Sequence, residues 1–129
     1  MTHVIVIGHG GYGSAIKRNL GMLLGEAKNY HYIDFNETDS TEILQEKMNA
    51  VLEEVGEEDV LFCCDLIAGT PFREAAMVCV NHPTYSCVAG LNTSAYAEMT
   101  FHLDETPAVL GAMGCEVAKE GIVQFPENM

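Results

Sequence analysis

His9 stands inside the turn Gly8-His9-Gly10-Gly11-Tyr12-Gly13, directly after the apolar run Val4-Ile5-Val6-Ile7. An imidazole is the side chain best suited to nucleophilic or base chemistry near neutral pH, provided one ring nitrogen is held and the other left free. A carboxylate can do the holding, and Asp65 follows a second apolar run, Val60-Leu61-Phe62-Cys63-Cys64. Five residues on, Thr70-Pro71 reads as a helix start, threonine as N-cap and proline in the first turn. A helix N-terminus presents free backbone N–H groups and the positive end of a dipole, which favours an anion. Thr70 adds a hydroxyl that either caps that helix or binds the anion. An oriented histidine beside an anion cradle is equipment for phosphoryl transfer through phosphohistidine, without metal or cofactor.

These residues can meet only if the elements carrying them are adjacent. Val4 to Ile7, Tyr30 to Phe35, Val60 to Cys64 and Tyr85 to Ala89 read as strands. Between them, Ser14 to Leu24, a segment capped at Asp39, Ser40 or Thr41 and ending before Gly56, and Thr70 to about Asn81 have helical spacing. Ala95 to Phe101 and Glu105 to Lys119 add two helices, and Ile122 to Phe125 reads as a short last strand. Alternation of this kind predicts one α/β domain over residues 1–129, a mainly parallel sheet with helices on both faces. His9 and Asp65 then lie at the carboxyl ends of their strands, where open α/β sheets bind ligands.

Gly8, Gly10 and Gly13 also satisfy G-x-G-x-x-G between a strand and a helix, and Asp34 falls about twenty residues further, where a ribose-binding acid would sit. A dinucleotide site needs two mononucleotide halves, and this chain has strands for little more than one. That reading also leaves residues 65–72 without a role. A third reading is a regulatory or interaction module of the same fold. The remaining histidines, His3, His31, His82 and His102, have no metal-ligand spacing on a helix face and read as structural or exposed.

Composition sets outer limits. Six basic and nineteen acidic residues give a net charge of −13, which argues against a nucleic-acid partner. Five cysteines with no C-x-x-C spacing do not make a disulfide framework or a zinc site, and indicate a reducing, cytoplasmic setting. No basic leader precedes the short apolar N-terminal run, and no window approaches the ~18–20 apolar residues of a spanning helix.

His9 in its glycine turn, together with Asp65-Leu66-Ile67-Ala68-Gly69-Thr70-Pro71-Phe72 and Gly90-Leu91-Asn92, resembles the enzyme IIA component of the mannose-family phosphoenolpyruvate-dependent sugar phosphotransferase system (PTS). The resemblance runs from Val4 to about Val123. It implies phosphorylation of His9, Asp65 as its hydrogen-bond partner, and Thr70 near the phosphoryl group. The backbone at Gly10 and Gly11, and at Pro71 and Phe72 in the helix start, is expected to hold the phosphoryl oxygens. The implied partners are the phosphocarrier protein HPr as donor, a IIB protein or domain as acceptor and, through it, a IIC/IID membrane permease; with the sequence stopping at Met129, IIB is expected to be a separate protein. It further implies a homodimer that exchanges an antiparallel C-terminal strand, here Ile122 to Phe125. The phosphocarrier of dihydroxyacetone kinase is a related alternative.

Overall fold

The computed structural model describes residues 1–127. Its elements follow the expected alternation: β1 (Thr2–His9), α1 (Tyr12–Leu24), β2 (Tyr30–Phe35), α2 (Thr41–Val55), β3 (Asp59–Cys64), α3 (Thr70–Val80), β4 (Ser86–Ala89), α4 (Thr93–Met99) and α5 (Pro107–Glu120). The strands form one sheet in the order β2-β1-β3-β4, and every pairing is parallel. No described helix is long and apolar enough to cross a membrane.

Parallel pairing explains why the strands read as unbroken apolar runs, since both faces of such a sheet are covered. All of β1 except His9 is buried. Val4 and Val6 face one layer, where Leu20 of α1, Tyr96 and Met99 of α4 and Leu110 of α5 pack. Ile5 and Ile7 face the other, against Leu44 and Met48 of α2 and Ala75 of α3. Polar side chains fix helix ends: Ser40 caps α2 through the Ile43 N–H, Asn92 caps α4 through Ala95, and Thr106 caps α5 through Val109.

Two expectations need correcting. Thr70 does not cap α3; Gly69 occupies that position and Thr70 is the first helical residue. Residues 122–125 form no strand. Within one chain they meet no sheet edge, and a strand exists only through its ladder. Ile122, Val123 and Phe125 are instead 77%, 84% and 96% exposed.

At the amino-terminal end of the sheet, His3 and His31 sit together. His3 Nδ1 lies 2.9 Å from His31 Nε2, and His3 Nε2 lies 3.0 Å from Glu58. Glu54 stands 3.8 Å from the outer nitrogen of His31, and the Met1 amino group bonds Glu58. Burial, and secondarily His3, lowers the affinity of His31 for a proton, against a smaller opposing pull from Glu54. The unfolded chain therefore binds more protons than the folded one below the ordinary imidazole value, so this contribution is present above about pH 6.5 and lost as pH falls. We expect the melting midpoint to drop between pH 7 and pH 5, and His31→Gln to flatten that slope. An unchanged slope in the variant would assign the acid sensitivity to other groups.

Candidate functional site

The strand order sets the location of the site. The chain passes from β1 outward to β2, then crosses over to β3 on the other side of β1. The crevice between β1 and β3 is thus the switch point of the sheet, the place where doubly wound folds hold ligands. His9 ends β1 there, and Asp65 directly follows β3.

Asp65 Oδ2 accepts from the His9 backbone N–H at 3.0 Å and lies 2.9 Å from His9 Nδ1. Its other oxygen accepts from the Leu66 N–H at 3.0 Å. A carboxylate has only acceptors, so the bonding assigns the ring proton to Nδ1 and leaves a lone pair on Nε2. The Asp65 side chain is 13% exposed and that of His9 44%, so the orienting group is shielded while the imidazole is partly open to solvent. Phe35 packs edge-on to the imidazole, with ring centroids 6.0 Å apart.

Two glycines of the turn are explained by contact. A Cβ on Gly8 would stand 2.8 Å from Asp65 Cγ and 2.7 Å from the Tyr12 ring, so only glycine lets the carboxylate reach His9. A Cβ on Gly13 would meet the Ile33 carbonyl at 2.9 Å, so glycine allows α1 to close on β2. Asp34, the candidate ribose acid, accepts from the Ser14 N–H at 2.9 Å and from the Ser14 hydroxyl. It is thereby committed to the first turn of α1, and the dinucleotide reading loses its most specific residue.

The expected anion cradle is smaller than the sequence suggested. The Gly10 N–H is consumed, donating to the Phe35 carbonyl at 2.8 Å. Pro71 has no N–H at all. Among the described residues the Gly11 N–H has no backbone acceptor, and the first turn of α3 leaves those of Thr70 and Phe72 without intrahelical partners. Arg73 is the one basic residue of α3, 63% exposed and 3.7 Å from Glu74. Phe35, Tyr12 and Gly69 border the site without having been singled out. Of these, only Gly69 left a sequence signal, as a glycine directly before Thr-Pro.

The cysteines stay apart from this chemistry. All five are free, and burial drives the thiol of Cys63 well above its ordinary value and that of Cys79 up to about 11. No cluster of three or more candidate metal ligands occurs among the described residues.

Fold and site together define a doubly wound α/β domain that presents an aspartate-oriented histidine at its switch point. A family model, EIIA-man, described as the PTS system fructose IIA component, matches residues 3–108. The chain belongs to this family, the mannose-type EIIA components of the sugar phosphotransferase system. It is 36% identical over 126 residues to the PTS system mannose-specific EIIAB component of Escherichia coli (strain K12), covering 95% of this chain and 39% of that protein. It is also 36% identical over 93 residues to the PTS system fructose-specific EIIA component of Bacillus subtilis (strain 168), covering 71% of this chain and 64% of the relative. The chain therefore spans less than two thirds of either relative. The mannose/sorbose specific IIA subunit of the phosphotransferase system from Enterococcus faecalis superposes with a TM-score of 0.87 at 25% identity, over 99% of this chain and 98% of that one.

Proposed function

We propose that this chain is a cytoplasmic phosphoryl carrier that takes a phosphoryl group from the phosphohistidine of HPr onto His9 and passes it to a IIB protein or domain. The observation that carries the reading is the Asp65 carboxylate 2.9 Å from Nδ1, which leaves Nε2 as the nucleophile. Nε2 attacks the phosphorus in line, the new N–P bond forms as the donor N–P bond breaks, and the electron pair returns to the donor imidazole. His9 keeps its Nδ1 proton throughout, and Asp65 offsets the positive charge that develops on the ring. The N–H groups of Gly11, Thr70 and Phe72, with the Thr70 hydroxyl, receive the phosphoryl oxygens. Passage to IIB runs the same step in reverse, and a IIC/IID permease served by that IIB imports the sugar.

The open edge of β4 and the exposed apolar tail at 122–125 support the homodimer, with the tail of each chain pairing on its partner. Incubation with radiolabelled phosphoenolpyruvate, enzyme I and HPr tests the carrier. An acid-labile, alkali-stable phosphoryl group should appear on residue 9 and be discharged when a cognate IIB is added. Label that appears but never moves to any IIB would favour a regulatory module instead.

A further inference from the structure

Gly69 closes the loop from Asp65 into α3, and it lies against the reactive edge of His9. A Cβ at this position would stand 2.9 Å from His9 Cε1 and 3.0 Å from Nε2. Its backbone, at φ +98° and ψ −179°, is in a region that residues bearing a Cβ scarcely enter. These demands are separable within the same chain. Gly25 has nearly the same backbone, φ +80° and ψ −158°, but nothing lies within 4 Å of its missing Cβ. Glycine at 25 answers to conformation alone, whereas glycine at 69 answers to the imidazole as well.

The absent side chain has a chemical consequence. Because the chain can pass in contact with the ring and enter α3 at the next residue, the first turn of α3, with the free N–H groups of Thr70 and Phe72, begins directly after that contact. A methyl group at 69 would push the ring off Asp65 or lift the first turn of α3 away from Nε2.

We propose that Gly69 is a positioning residue for the transfer: it seats the first turn of α3 against Nε2 and keeps clear the space in which the N–P bond forms. The proposal rests on His9 as the acceptor. Gly69 contributes no reacting atom, so its effect belongs in the rate of the bound complex, not in docking.

The test compares Gly69→Ala with Gly25→Ala and the parent in single-turnover labelling by phospho-HPr. At saturating donor, Gly69→Ala should be slower by about 100-fold or more, the scale of a displacement of about 1 Å at a reacting centre. Its half-saturation concentration and its circular dichroism should stay near those of the parent, and Gly25→Ala should transfer at the parent's rate. Transfer by Gly69→Ala at the parent's rate, or a loss confined to half-saturation, would overturn the role of Gly69 while leaving His9 in place. No label on residue 9 of the parent would overturn the carrier itself. Should Gly69→Ala fail to fold, the parent decides. A nuclear Overhauser contact between His9 Hε1 and the Gly69 α-protons is required before and after phosphorylation, and its absence overturns the proposal.

Discussion

A His9→Gln chain is expected to fold like its parent and to take no phosphoryl group at all. The imidazole is 44% exposed and its one side-chain hydrogen bond goes to Asp65. A glutamine amide can still donate to that carboxylate, and the His9 backbone N–H keeps its own bond to the same oxygen. The cost in stability should therefore fall within the ~0.5 kcal/mol usual for surface substitutions. An amide nitrogen has no nucleophilic lone pair, so transfer has no alternative route. The paired measurement is thermal melting and acid-labile label on the same preparation. Persistent label at an unchanged melting point would place the acceptor elsewhere, and His102, which is bonded to Glu98 on the surface, would be the next residue to replace.

Asp65→Asn tests the other half of the pair. The carboxylate now accepts from three donors: the His9 N–H, His9 Nδ1 and the Leu66 N–H. An asparagine has one acceptor and one donor group. If its oxygen stays with Leu66, its NH2 faces His9, and the ring must offer Nδ1 as an acceptor. The proton then moves to Nε2, and the nucleophile is blocked without any loss of side-chain volume. A change of this kind, where an orienting aspartate becomes asparagine, lowers turnover by about 10⁴-fold in a serine protease triad, and a fall of about 10³-fold or more is expected here. Nitrogen-15 shifts of the ring should report the exchanged tautomer. Rapid transfer with the ring protonated on Nε2 would remove Asp65 from the mechanism.

Much of this arrangement could be read directly from the chain, because it depends on patterns that are local. The apolar runs of β1 and β3, each ending at a residue with chemistry, needed only parallel pairing to bring His9 and Asp65 together. The strand order that makes them neighbours follows from crossovers in space, and no spacing records it. The glycine turn was ambiguous for a physical reason. Gly8 and Gly13 are required by the approach of Asp65 and of β2, and close approach looks the same in sequence whether the visitor is a carboxylate or a nucleotide. The committed state of the Gly10 N–H was invisible because its acceptor, the Phe35 carbonyl, comes from the neighbouring strand. The Pro71 position, by contrast, could have been excluded from the cradle on composition alone. Residues 122–125 carry strand-forming side chains, but within the chain they are not brought against a sheet edge.

The single lone pair on His9 has a kinetic consequence. With Nδ1 held by Asp65, the proposed carrier has one nitrogen for both the arriving and the departing phosphoryl group, and both would travel the same line through Nε2. Donor and acceptor could not occupy that line together, so the proposed transfer requires no ternary complex. Steady-state transfer between them should give parallel double-reciprocal plots, the signature of a carrier visited by one partner at a time.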